Sequence, residues 1–515
     1  MNRIRSAGII ALVFVALCVG ASAGEDAASD VRDAASDVFW PMLAGNPARD
    51  GNSGISFPAK TFGLLWKSPP PRTVYAYDAG QTSSSPCLIS AGGKHLVIFG
   101  FYDRKVYAYD AFTGRQQWQY ITGDGVLATP CYAEVAGKPM LFVASSDRTI
   151  YALDPATGEE LYSAPGKSWR YEVYPWSDTV APAVVGDPMV ADVDGRAVLF
   201  VVMWINDQKS EGNVQESSLY AIDAASAELL WKAEIGKGTS AAPALGMVKD
   251  EPAVFVTHDA GVVFAFSARD GRPLWDKPFI SQYEIRSGLS YGEIADRKLL
   301  FFGSRLYSAF CIDADTGEMV WDIYLGTWMD STPAIYYGGE RTVVVFGDYQ
   351  QNLHAVDALT GESLWQYRSY GYFSASPVLI DLDGEPTAAV PCLDNHLYMV
   401  NLNDGRFVFR AFTGKFLWSH FQKGDVVWPS AAAARLGGRE ILVLSSYDGC
   451  VYVFGEGGEP VDVGPPGTSL VDAFGGSVEA MIGTIALLVA AIAYSAVKVG
   501  KKLAAQKRAA VKHDN

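Results

Sequence analysis

Two tetrapeptides, Asp192-Val193-Asp194-Gly195 and Asp381-Leu382-Asp383-Gly384, carry the carboxylate spacing with which a calcium loop begins. Such a loop needs more oxygen ligands over about twelve residues, and neither copy supplies them. Asp and Gly are also the ordinary residues of tight turns, and that is the expected role of both. A second set, Asp103, Asp147, Asp259, Asp348, Asp394 and Asp448, recurs shortly before an aromatic position. A rim of carboxylates could attract cations or a basic partner, but a turn repeated with the fold accounts for it more simply. Beyond residue 23 the cysteines are Cys87, Cys131, Cys311, Cys392 and Cys450. Cys87 and Cys131 occupy equivalent positions, so a disulfide between them is conceivable in an oxidising compartment. Small buried residues on inner strands are the preferred reading. The histidines have no zinc-like spacing. Neither a complete Gly-x-x-x-x-Gly-Lys-Ser/Thr phosphate loop nor a Gly-x-Ser-x-Gly nucleophile elbow occurs. No catalytic, cofactor-binding or metal-ligating residue is assigned.

The elements that would position any site come from an internal repeat. Apolar-Tyr-Ala-apolar-Asp, then x-x-Thr-Gly, then x-x-x-Trp recurs along the chain, with the Asp slot at Asp110, Asp154, Asp223, Ser267, Asp313, Asp357 and Asn401. The aromatic ends are Trp118, Tyr162, Trp231, Trp275, Trp321, Trp365 and Phe409. The Tyr-Ala stretch alternates as a strand does. Asp starts a turn by bonding amides two residues on, Gly takes its positive-φ position, and Trp lies in the returning strand. A small-x-Pro string precedes the copies, at Pro86, Pro130, Pro188, Pro243, Pro333, Pro377 and Pro429, with Gly288 in one slot. Four strands per repeat are the signature of a propeller blade. An eighth copy is split: the Tyr strand through Tyr452 has no Trp strand after it, and Phe62 to Lys67 is a Trp strand with no Tyr strand before it. Pairing the halves closes the ring and removes two exposed edges. The expected fold is all-β: an eight-bladed propeller of four-stranded antiparallel blades, closed by N- and C-terminal strands. A second register, ending at Trp418, overlaps the seventh copy; Asn401 is preferred because it keeps the common spacing.

The Asp-x-x-Thr-Gly-x-x-x-Trp string preceded by Tyr-Ala resembles the PQQ-type propeller repeat. The lead-in Trp40-Pro41-Met42 with Gly45 to Arg49 is similar to the segment that often precedes such propellers. A WD40 reading is weak, since Trp-Asp occurs only at Trp275-Asp276 and Trp321-Asp322. The resemblance implies one of two functions: a quinoprotein dehydrogenase with PQQ and calcium, or a non-enzymatic BamB-like protein that binds other proteins. Quinoprotein enzymes often carry adjacent cysteines, which this chain lacks, and no family set of calcium ligands maps onto it. The expectation is no cofactor.

Function should sit where the repeat is broken. The long segments 67–84, 163–186, 205–218 and 410–427 are second turns or links between blades, which share one face. Their aromatics, Tyr174, Trp176, Phe412, Trp418 and Phe421, with Trp204 and Trp428 beside them, form the candidate interaction surface.

At the ends, Arg3 and Arg5, an apolar run and Ala21-Ser22-Ala23 read as a signal peptide over 1–23. An acidic lead-in follows over 24–59, then the propeller over 60–455 and a Gly/Pro linker over 456–479. The uncharged segment 480–497 is long enough to cross a bilayer, and the basic tail 498–515 should remain cytoplasmic, with the bulk exported. The chain of 515 residues has 51 glycines, 26 prolines and 12% aromatics, which suits short strands and tight turns. Its net charge of −16 argues against nucleic-acid binding. The expected function is a membrane-anchored, non-enzymatic scaffold with a protein partner, with a PQQ oxidoreductase and a glycan-binding sensor as alternatives.

Overall fold

The computed structural model describes residues 37–68, 84–173, 184–207, 214–236, 238, 242–338, 341–413, 429–446 and 450–460. Eight antiparallel blades form a closed propeller, with no α-helix among the described residues. Blade one runs Cys87–Ala91, Lys94–Phe101, Lys105–Asp110 and Gln116–Ile121, hydrogen-bonded in that order. The first strands of blades two to eight begin at Cys131, Met189, Ala244, Ser290, Ala334, Val378 and Ala432.

The repeat works as its chemistry suggests. The Asp110 carboxylate accepts the amides of Phe112 and Thr113 at 3.2 and 2.8 Å, and the same turn recurs at Asp154, Asp223, Asp313 and Asp357. Each Trp then packs on the turn of the next blade. Its indole N–H donates to a carbonyl there: Trp118 to Pro155, Trp231 to Ala268, Trp275 to Ala314, Trp321 to Ala358 and Trp365 to Leu402. Gly405 in that turn has φ +71°, and a Cβ on it would stand 2.7 Å from the Trp365 ring. Glycine is therefore required there both by conformation and by space. In blade seven Phe409 faces Met399 as Trp365 faces Ala355, so the register runs through Asn401.

Blade two departs from the expected slot. Tyr162 is not its packing aromatic but 66% exposed, in a hairpin of Tyr162–Ala164 with Lys167–Ser168. Trp169 follows the hairpin, is fully buried and donates to the Ala224 carbonyl at 2.8 Å. The outer strand is Arg170–Glu172, paired with Thr149 to Tyr151. The first part of segment 163–186 is thus an insertion ahead of the outer strand rather than a link between blades.

The residue between the small residue and proline has a role that the repeat alone does not explain. It ties first strands together around the ring: the Thr129 amide donates to Asp187, Thr332 to Ser376, Ser376 to Ser430, and Ser430 to Ser85. In blade eight Ser430 fills this slot, so Pro429 lies two positions ahead of where its counterparts stand.

Phe62–Lys67 pairs antiparallel with Val451–Glu456 and completes blade eight, as the two half-copies require. Phe62 sits among Phe57, Phe409 and Phe454 at ring separations of 5.2 to 6.0 Å. Before reaching this strand the chain winds around the inside of the ring. Val38 bonds Arg435 of blade eight and Trp40 bonds Leu88 of blade one. The carbonyls of Pro41, Pro47, Ala48, Asp50 and Gly51 then accept the amides of Tyr132, Leu245, Tyr291, Ile335 and Leu379, in blades two, four, five, six and seven. Blade three is reached by a side chain instead, from Arg49 to the Asp187 carbonyl. Asn52–Phe57 finally runs parallel to Val378–Leu382. First strands otherwise present a bare inner edge, and this thread satisfies part of it.

Candidate functional site

Among the seven aromatics expected to form the interaction surface, Trp204 and Phe412 fall in the described part. Tyr174, Trp176, Trp418, Phe421 and Trp428 lie outside the described residues. Trp204 sits on the lengthened strand Arg196–Asp207, opposite Ser217 of Val214–Asp223. Its buried indole nitrogen has no hydrogen-bond partner among the described residues. Phe412 ends the outer strand of blade seven, is 43% exposed and packs its ring edge on His396.

The face that carries Phe412 holds a larger set of aromatics that the sequence reading missed. Second turns, links and the ends of outer strands meet on that face. There Tyr283, Tyr307, Tyr324, Trp328 and Tyr370 are all exposed, on blades five and six and the links that flank them. Their support is half-buried and mostly polar. Arg305 lies over the Trp328 ring at 4.5 Å and forks onto Asp330 at 2.8 and 3.2 Å. A further arm of Arg305 reaches Glu284 at 3.3 Å. Tyr349 donates its phenol to Asp330, meets Trp328 edge-on at 5.8 Å and stacks on Tyr372 at 5.5 Å. Tyr307 and Tyr324 meet edge-to-face. These residues sit in ordinary-length turns, so a reading that looked for insertions passed over them. The available signal was the position three residues after the repeat aromatic: it ends the outer strand on this face, at Ile121, Tyr324 and Phe412.

The recurrent carboxylates serve the turns. Asp103, Asp147 and Asp394 accept the phenol protons of Tyr107, Tyr151 and Tyr398. Burial first, and the adjacent carboxylate second, push all three phenols well above the ordinary tyrosine value. Asp259 is half-buried in the equivalent turn of blade four, and Asp448 lies outside the described residues. In the Asp-x-Asp-Gly pairs, Asp192 and Asp381 accept the amides of Gly195 and Gly384, as turn formers do. The five described cysteines are buried and form no disulfide with one another, Cys87 and Cys131 included. Burial pushes the Cys131 thiol up to about 12.

A family model described as outer membrane protein assembly factor BamB, PQQ_2, matches residues 56–202, 215–286 and 281–425. The chain belongs to this family. Solved structures similar to this PQQ_2 chain include BamB from Moraxella catarrhalis, at 15% identity and TM-score 0.50, covering 76% of this chain and 99% of its own. Quinohemoprotein alcohol dehydrogenase from Comamonas testosteroni is 13% identical with TM-score 0.59, covering 83% of this chain and 82% of its own. A europium-containing methanol dehydrogenase is 13% identical with TM-score 0.58, covering 81% of this chain and 98% of its own. At these identities the likeness shows the fold. No curated protein sequence matches the chain.

The described residues show no ligand set for the PQQ and calcium of the quinoprotein branch. No three His, Cys, Asp or Glu side chains among them come together as metal ligands. Of the three fully buried arginines among the described residues, Arg49, Arg148 and Arg410, Arg49 donates to the carbonyls of Pro243, Leu43 and Asp187. Among the described residues no helix is long and apolar enough to cross a membrane. The expected signal segment 1–23 and the expected span 480–497 lie outside them.

Proposed function

We propose that this PQQ_2 chain is a non-enzymatic scaffold that binds a protein or peptide on its second-turn face. In this reading it is exported, held at a membrane by segment 480–497, and serves envelope assembly. The aromatic band of Tyr283, Tyr307, Tyr324, Trp328 and Tyr370 carries the proposal, because exposed Tyr and Trp on a rigid frame supply contact area at little entropic cost. The family description supports it.

The test is co-purification of the full chain from detergent-solubilised membranes, beside a Trp328→Ala/Tyr370→Ala variant. A protein that accompanies the parent chain and is lost from the variant is the expected result. PQQ absorbance with calcium-dependent dye reduction by the purified chain would replace this reading with the oxidoreductase. Retention on a glycan array, with no protein captured, would replace it with the polymer sensor.

A further inference from the structure

We draw no further inference here: the strongest candidate, the patch of exposed aromatics Tyr324, Trp328 and Tyr370 over blades five and six and the links that flank them, has its carboxylates Glu284 and Asp330 already paired with Arg286 and Arg305, and nothing in the structure shows what covers it.

Discussion

The Asp348 carboxylate is all but fully buried and accepts the amides of Gln350 and Asn352, the Asn352 side chain and a bond shared with His354. Burial raises its pKa, but the bonds from His354 and Asn352 outweigh that, and the group lies below the usual carboxylate value. The unfolded chain therefore binds the proton more readily. The stability that Asp348 supplies is complete above the unfolded value of about 3.9 and is lost as pH falls through the lowered folded value. Asp348→Asn should cost about 1.5–3 kcal/mol at neutral pH, since it weakens hydrogen bonds to a charged group. The penalty should shrink near pH 3, well below neutrality. Urea denaturation at both pH values measures it, and an equal penalty at each would show that the ionised form is not what matters. The turn role of this aspartate was legible in sequence because its partners lie within six residues. The Arg305–Trp328 contact was not, since it joins a second turn to a link through space.

Blade two shows how an element can keep a contact while the sequence string loses it. The slot is fixed by the geometry of adjacent blades: an indole must reach the next turn and donate to its carbonyl. Tyr162 has the right spacing, but the inserted hairpin carries it outward and delivers Trp169 instead. Trp169→Ala should cost about 3–5 kcal/mol, as for other large-to-small core changes. Tyr162→Ala should remain within about 0.5 kcal/mol of the parent. Thermal unfolding of both variants distinguishes the two assignments, and a large loss at Tyr162 would restore the original one. Spacing identifies a slot only while no residues are inserted inside the repeat, which is why the other copies were read correctly and this one was not.

For the whole molecule, closure occurs twice. The outer closure pairs Phe62–Lys67 with Val451–Glu456, and the inner one is the thread from Val38 to Phe57 that bonds the first strands in turn, blade three being reached through Arg49. Arg49 is the fixed point of the inner closure, fully buried and bonded to three carbonyls from separate stretches of chain. Arg49→Ala leaves those carbonyls without a donor and should cost about 3–5 kcal/mol. Because the thread joins all the blades, unfolding should stay a single transition at a lower temperature. A separate early transition, by calorimetry, would show that the thread is an independent element.

By itself the sequence determined the blade count, the order of strands, the turn chemistry and the outer closure. All of these follow from local patterns repeated at a constant interval, and from the pairing of two incomplete copies. Only the tertiary structure decided that Trp169 replaces Tyr162, that the lead-in runs around the inside of the ring, and that exposed aromatics gather over blades five and six and the links that flank them. Those features depend on which residues of distant segments meet, and a periodic string carries no record of contacts between its copies.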